Sequence, residues 1–223
     1  MITDKYEGKS SANNKPGDHI CLIYKNSDEQ FSVLASFFKE GFENSQKCIY
    51  VVDENDKQEA VSELIKRGID IKKMTEAGQF EILTTGETYL KDGYFNPDKM
   101  ILLLKEAEKK TLEQGYSGLR VTGEPKWALG DAAVSEKLIE YESKVNGIFP
   151  HSKIIGLCQY NEICCKHSIL VEAIHTHPSV MFDENLYENP NYFSTDAHIG
   201  GKHSYLPPDS YELIKEDLMN PTD

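Results

Sequence analysis

Residues 19–24, His19-Ile20-Cys21-Leu22-Ile23-Tyr24, form the stretch that decides the fold. They make a short, continuous apolar run, which is typical of a strand covered on both faces of a sheet. An amphipathic helix is predicted directly after it, over residues 29–43, with apolar side chains at spacings of three and four. A buried strand that leads into a helix predicts an α/β domain with a parallel sheet.

The connection between this strand and its helix lacks a phosphate loop. In nucleotide-binding domains a glycine-rich turn with Gly-Lys-Ser/Thr at its end holds phosphates through backbone N–H groups and the lysine. Here the connection is Lys25-Asn26-Ser27-Asp28-Glu29, with no glycine and two carboxylates that would repel phosphate. We therefore expect a site for a small, largely neutral ligand and not an ATPase site.

Downstream, strand and helix patterns alternate about five times. Strands are predicted at residues 48–52, 80–84, 119–122 and 153–160, and a last strand is predicted at 179–182 on a sheet edge. Helices are predicted at residues 57–67, 96–114, 131–145 and 164–173. This alternation predicts a three-layer α/β/α fold with a mostly parallel central sheet. The expected division is a flexible segment at 1–16, one domain at 17–193, and a tail at 194–223 with one short helix at 210–219.

Composition limits the partners. The chain has 223 residues, and 24 basic against 37 acidic ones give a formal charge of −13, which disfavours nucleic acid or an anionic membrane as a direct partner. No segment has the apolar length of a membrane span, and residues 1–6 lack the apolar core of a signal peptide, so we expect a cytoplasmic protein. The five cysteines suit reduced, buried thiols.

Several blocks carry a family resemblance. Residues 37–44 and 47–54 resemble the helix–strand unit that follows the phosphate loop in KaiC-like, RecA-type ATPases. Four blocks in order are similar to the MEDS domain, the methanogen/methylotroph DcmR sensory domain: 17–24, 50–54, Arg120-Val121-Thr122-Gly123-Glu124-Pro125-Lys126-Trp127, and 156–161. Where many relatives have aspartate after the Gln-Tyr pair, this chain has Asn161.

The resemblance implies a RecA/KaiC-like (Rossmann-like) topology without the phosphate loop and a non-catalytic sensory role. The implied ligand is a small hydrocarbon derivative or a methylated compound, and the implied output is a histidine kinase or transcription regulator acting in trans. Two alternatives stay open. One is a degenerate nucleotide-binding or protein-interaction module that forms a homodimer or docks on a partner, and the other is a metal- or haem-binding sensor.

The ligand site is expected at the carboxyl ends of the parallel strands, where loops from several strands converge. The candidates there are Tyr24, Asp53, Glu54, Arg120, Glu124, Trp127, Gln159, Tyr160 and Asn161. Trp127 either walls a pocket or covers the sheet edge. Arg120 lies in a strand that should be buried, so it needs a carboxylate, from Glu124 or Asp53, unless it binds an anion directly.

Metal ligation is a weaker possibility at two places. His19, Cys21 and Cys158 lie on neighbouring strands, and a second group gathers the remaining soft ligands, Cys164, Cys165, His167, His175 and His177. Neither spacing is diagnostic, and buried thiols and solvated imidazoles explain both groups. The sequence therefore predicts no cofactor or metal. It also has no nucleophile elbow and no zinc-protease helix, which predicts that the chain is not an enzyme.

Overall fold

The computed structural model describes residues 9–10, 14–53, 56–193 and 210–220. These residues form one eight-stranded sheet in the order β1-β8-β7-β2-β6-β5-β3-β4. The strands are β1 Lys9–Ser10, β2 His19–Tyr24, β3 Lys47–Val52, β4 Phe80–Thr84, β5 Leu119–Gly123, β6 Ile154–Asn161, β7 Ser179–Phe182 and β8 Asn185–Glu188. Neighbours from β7 through β4 run parallel, and β8 pairs antiparallel with both β7 and β1.

The described helices cover both faces of the sheet. They are α1 Ser27–Glu43, α2 Lys57–Lys66, α3 Ile71–Glu76, α4 Pro97–Glu113, α5 Ala132–Val145, α6 His167–Thr176 and α7 Ser210–Met219. The first three pack with one apolar cluster on one face, while α4 to α7 pack with two clusters on the other. The predicted α/β/α layers and the mostly parallel sheet are confirmed.

Strand β2 shows how the sequence distributes its side chains. Ile20 and Leu22 face the α1 side, whereas Cys21 and Ile23 face the α6 side, because successive residues of a strand point to opposite faces. All six residues of β2 are buried. The continuous apolar run therefore reflects two covered faces, as expected for a central parallel strand.

Two secondary-structure predictions are wrong. Strand β7 does not lie at an edge: it pairs with β2 on one side and with β8 on the other. The hairpin from β7 to β8 turns through Asp183 and Glu184, which have φ values of 47° and 64°. The helix predicted from residue 164 begins instead at His167, after a turn in which the Asn161 side chain accepts hydrogen bonds from the backbone N–H groups of Ile163 and Cys164.

Both chain ends contribute to the described structure. Lys9 and Ser10 pair with Leu186 and Asn185. The tail helix α7 spans the predicted residues and buries Tyr211 among the residues of the α6 cluster. The predictions for residues 1–8, 11–13, 194–209 and 221–223 lie outside the described residues. Among the described residues, no helix has both the length and the apolar character needed to cross a membrane.

Candidate functional site

Only two residues, Lys25 and Asn26, separate β2 from α1, and they form a self-contained helix cap. The Asn26 side chain accepts a hydrogen bond from the Glu29 backbone N–H at 3.0 Å, and the Glu29 carboxylate accepts one from the Lys25 N–H at 3.0 Å. Asp28 also lies in the first turn, where it pairs with Arg67. The helix N-terminus thus carries its own anions, in the place where a phosphate loop would present bare N–H groups.

A buried polar network lies beneath this connection, at the carboxyl ends of β2, β3, β5 and β6. Glu124 is its centre. One carboxylate oxygen, Oε1, accepts from Gln30 Nε2 at 2.9 Å and from the Tyr50 hydroxyl at 3.3 Å. The other, Oε2, accepts from the Tyr24 hydroxyl at 3.1 Å and lies 3.5 Å from Lys126 Nζ. The donors compensate for the loss of water around a buried carboxylate.

The network continues into β6 through side-chain amides. Gln30 Nε2 also donates to Gln159 Oε1 at 2.8 Å, and Gln159 Nε2 donates to Thr122 Oγ1 at 2.8 Å. Burial and the nearby Glu124 carboxylate raise the pKa of Tyr24 and of Tyr50. Both hydroxyls therefore stay protonated and act as donors to Glu124.

An aromatic cluster lies on the opposite face of the sheet, at the same edge. The Trp127 ring stacks on Tyr89 with centroids 5.0 Å apart, and Phe95 packs at 4.7 Å from Trp127. Trp127 Nε1 is buried and has no hydrogen-bond partner among the described residues. A buried N–H without a partner is costly, so the packing of the ring with Tyr89 and Phe95 has to compensate for it.

A cleft opens beside this cluster. It has a volume of about 240 Å³ and is lined by Thr88, Tyr89, Lys91, Asp92, Tyr94, Asn96, Lys99, Met100 and Leu103. Tyr89 therefore belongs both to the cleft wall and to the stack on Trp127. The lining combines four apolar or aromatic side chains with five polar or charged ones, which include the Lys99–Asp92 ion pair.

The predicted ligand residues divide between these two faces. Tyr24, Glu124 and Gln159 meet in the polar network, whereas Trp127 joins the aromatic cluster. Two other candidates make different contacts: the Tyr160 hydroxyl donates to Glu142 at 3.2 Å, and the Asn161 side chain caps the turn before α6. Asp53 follows β3, and Glu54 lies outside the described residues. Gln30 and Tyr50 also belong to the polar network but are not among the residues that the sequence predicts for the site. The signal for Gln30 is its position in the first turn of α1, next to the strand ends.

Arg120 is buried as predicted, but its predicted partners are wrong. The guanidinium pairs with Glu40 at 3.0 Å, on α1, and not with Glu124 or Asp53. Its Nε donates to Gln46 Oε1 at 2.6 Å, and Nη1 donates to the Phe37 carbonyl at 3.2 Å. Arg120 is the second residue of β5, so it lies away from the carboxyl end of the strand and holds α1 to the sheet.

The structure gathers three of the metal candidates with a glutamate. His19, Cys158 and His177 meet Glu142 between the sheet and helices α5 and α6, and one ligand atom from each of the four lies within 4.8 Å of all the others. Burial raises the pKa of Glu142, but the hydrogen bond to His19 and the nearby His177 outweigh it, so the net pKa is lowered. Burial, with His19 next, lowers the pKa of His177 to about 3.

The other soft ligands stay apart from this cluster. Cys21 lies in the apolar core, Cys164 is exposed, and Cys165 packs with the α6 core. The His167 ring lies 5.0 Å from Tyr211 and the His175 ring 4.5 Å from Phe193. The candidate groupings of Cys21 with His19, and of His175 with His177, are therefore not part of the four-residue cluster.

Glu142 was not a sequence candidate, yet the sequence carried a signal for it. It lies four residues after Leu138 and three before Val145, both of which are buried. A carboxylate within the apolar stripe of a helix requires a buried partner.

Comparison with known proteins gives three similarities. The model of the family described as "MEDS: MEthanogen/methylotroph, DcmR Sensory domain" matches residues 18–178. The transcriptional repressor DcmR of Methylorubrum extorquens is 25% identical over 174 residues, which cover 78% of this chain and 60% of the repressor. The chain thus spans about 60% of the length of that relative.

Solved structures share the fold at low identity. A KaiC-like protein from Pyrococcus horikoshii aligns with a TM-score of 0.50 and 15% identity over 74% of this chain and 70% of that one. A second P. horikoshii protein aligns with a TM-score of 0.53 and 10% identity over 78% and 87% of the two chains. The KaiC-like architecture expected from the sequence is confirmed, and these two likenesses bear on the fold alone.

Proposed function

This chain belongs to the MEDS family of sensory domains, and from that premise we propose that it binds a small, largely neutral molecule and signals without catalysis. The family and the repressor relative support a sensory or regulatory role. The finer parts of the proposal are that the ligand is a hydrocarbon derivative or a methylated compound and that it binds at the carboxyl edge of the sheet.

The observation that carries the proposal is the cleft of about 240 Å³ lined by Tyr89, whose ring stacks on Trp127. A cleft of this size suits a small molecule.

The Glu124 network supports this site from the other face. The segment 123–127 carries Glu124 to one side of the sheet and Trp127 to the other. Gln30, Tyr24, Tyr50 and Lys126 already occupy the Glu124 oxygens, so the network fixes the segment in place. Lys126 is the exposed member, and it also pairs with Asp56 at 2.7 Å, so the network meets solvent at this side chain.

Nucleotide binding is the alternative function, because the fold is KaiC-like. The capped start of α1, with Asp28 and Glu29 in its first turn, argues against it. We expect millimolar ATP with Mg²⁺ to leave the melting temperature unchanged. A clear rise would favour a degenerate nucleotide-binding module over the proposed sensor.

We place the output of this sensor in a partner protein. The proposed partner is a histidine kinase or a transcription regulator, in keeping with the repressor relative, and a homodimer is a further part of the proposal. The formal charge of −13 disfavours direct contact with nucleic acid or an anionic membrane.

A thermal-shift screen tests the proposal. Methylated amines, thiols, alcohols and halomethanes would be added to the protein, and a true ligand stabilises it by RT ln(1 + [L]/Kd), about 2.7 kcal/mol at a hundredfold excess over Kd. Trp127 is the only tryptophan, so its fluorescence reports binding at the cleft directly. No stabilisation by any of the four classes would count against this ligand class.

Two variants locate the ligand. Trp127→Phe should reduce the thermal shift, because it removes the indole ring on which the cleft residue Tyr89 stacks. Leu102→Ala is the matched control, since Leu102 is exposed on α4 and does not line the cleft. An equal shift in the parent and in Trp127→Phe would move the ligand away from this cleft.

A further inference from the structure

Four segments bring potential metal ligands to one buried point. His19 opens β2, Glu142 lies in the last turns of α5, Cys158 lies in β6, and His177 follows α6 directly. His19, Glu142 and His177 are buried, and Cys158 is partly buried. The proposed sensory cleft does not use any of them.

Both imidazoles are held with Nε2 directed at this point. Asn146 Nδ2 donates to the carbonyl oxygens of Thr176 and Glu142, so its Oδ1 faces His19 Nδ1 at 2.9 Å and accepts a hydrogen bond from the Nδ1–H. Likewise, the Ala173 carbonyl accepts from His177 Nδ1 at 2.6 Å. Histidines that ligate metals are oriented in this way, with one ring N–H donated to an oxygen and the other nitrogen left free to ligate.

The free nitrogen of His177 has no partner. His177 Nε2 is completely buried and makes no hydrogen bond among the described residues. The closest acidic oxygen is Glu142 Oε2 at 3.8 Å, which is too long for a hydrogen bond. The cluster thus leaves one buried lone pair unused, and a cation at its centre would use it.

The distances among three of the ligand atoms match a tetrahedral site. His19 Nε2 lies 3.2 Å from Glu142 Oε2, and Cys158 Sγ lies 3.5 Å from His19 Nε2 and 3.4 Å from Glu142 Oε2. Around a tetrahedral zinc ion, the usual bond lengths put neighbouring nitrogen and oxygen ligands about 3.3 Å apart and a sulfur about 3.6 Å from either. His177 Nε2, at 3.8 Å from Glu142 Oε2, would move closer to complete the site. The Tyr160 hydroxyl donates to the other carboxylate oxygen, Oε1, at 3.2 Å and so orients the carboxylate.

We propose that His19, Glu142, Cys158 and His177 bind one divalent transition-metal ion, with Zn²⁺ as the representative ion. Imidazole, thiolate and carboxylate together suit borderline-soft ions of this class. Four protein ligands leave no open position, so the site is closed and holds β2, α5, β6 and the end of α6 together. Binding removes the proton of the Cys158 thiol and the proton between His19 Nε2 and Glu142 Oε2, and both protons are released to solvent.

Without a metal, a single proton between His19 Nε2 and Glu142 Oε2, which lie 3.2 Å apart, would hold these two side chains together. That arrangement leaves His177 Nε2 unsatisfied. A metal ion satisfies both nitrogens at once. Metal binding by the reduced protein distinguishes the two arrangements.

The test uses the full chain, purified without a polyhistidine tag, stripped of metal and kept reduced under anaerobic conditions. Co²⁺ is added as a spectroscopic probe and Zn²⁺ as a competitor. We expect one Co²⁺ per chain, ligand-field bands of a tetrahedral site, a thiolate-to-cobalt charge-transfer band, and loss of all these signals when Zn²⁺ is added. Failure of the parent protein to bind Co²⁺ or Zn²⁺ stoichiometrically would overturn the proposal.

Variants assign the ligands. Cys158→Ser should abolish the charge-transfer band, and His177→Gln should weaken Co²⁺ binding by at least about tenfold. Cys164→Ser is the matched thiol control, because Cys164 is exposed and outside the cluster, and it should bind as the parent does. Circular dichroism confirms that each variant is folded. A charge-transfer band that survives in Cys158→Ser and disappears in Cys164→Ser would refute this site. None of these measurements involves the proposed sensory ligand, so the two proposals fail independently.

Discussion

Replacing Arg120 tests how much its buried ion pair with Glu40 on α1 stabilises the fold. Arg120→Ala removes the donors to the Glu40 carboxylate, the Gln46 side chain and the Phe37 carbonyl, and it removes a cation–π contact at 4.8 Å from the Phe37 ring. Breaking a buried ion pair on one side costs about 3–5 kcal/mol, because the other group is left without a partner. In a chain of this size that corresponds to a fall of about 6–20 °C in Tm.

Urea denaturation followed by circular dichroism measures this loss. Lys109→Ala is the matched control, since the Lys109–Glu113 ion pair is exposed and its loss should change the free energy of unfolding by less than about 0.5 kcal/mol. The double variant Arg120→Met with Glu40→Met should lose less than the sum of the two single changes, because it removes both charges together. An Arg120→Ala variant within about 1 kcal/mol of the parent would refute the reasoning.

Three further predictions concern packing, capping and ionisation. Gly156→Ala should destabilise the fold by about 1–3 kcal/mol in urea denaturation, because a Cβ at this position would lie 2.9 Å from Phe149 Cζ. Gly130→Ala is the control: a Cβ there meets nothing within 4 Å, so the free energy of unfolding should change little. Asn26→Ala should cost about 1 kcal/mol by the same assay, through loss of the α1 cap, and an unchanged unfolding midpoint would contradict it. Burial and Glu124 raise the pKa of Tyr50, so its contribution to stability is fully present below pH about 10 and is lost as the pH rises further. Tyr50→Phe should therefore make the free energy of unfolding less pH-dependent at alkaline pH, as measured by urea melts, and parallel curves for the two proteins would oppose this.

The central part of the fold was predictable because its patterns are strong. The apolar runs at β2 and β3 and the Asn96 cap with Pro97 behind it specify elements through local chemistry alone. Asp131 caps α5 in the same way. These elements need no knowledge of their neighbours, so the layers and the parallel sheet follow from the sequence.

The last hairpin was not predictable by the same means. Its turn places Asp183 and Glu184 at positive φ, where hairpins usually carry Asn-Gly or Asp-Gly. Glutamate gives no such signal. Residues 185–188 are too few and too polar to give a strand pattern. The sequence therefore does not predict β8, and without β8 it predicts β7 as an edge strand.

The sequence predicts that the candidate residues lie near the carboxyl ends of the strands, but it does not predict their contacts. The carboxyl ends of the strands identify Tyr24, Glu124 and Gln159, because topology brings parallel strand ends together. Successive residues of a strand point to opposite faces, and for this reason Gln159 and Tyr160, adjacent in sequence, join different clusters. The ion pair of Arg120 with Glu40 depends on how α1 packs, which no local pattern encodes.

The two-residue link between β2 and α1 is too short for a phosphate loop. Substituting glycine and lysine at Lys25, Asn26 or Ser27 would not restore a phosphate loop, because that loop needs several residues between the strand and the helix. An insertion would be required, and it would also displace the Asn26 cap. Point substitutions alone should therefore not give this chain a phosphate loop, whereas grafting a longer loop between β2 and α1 could.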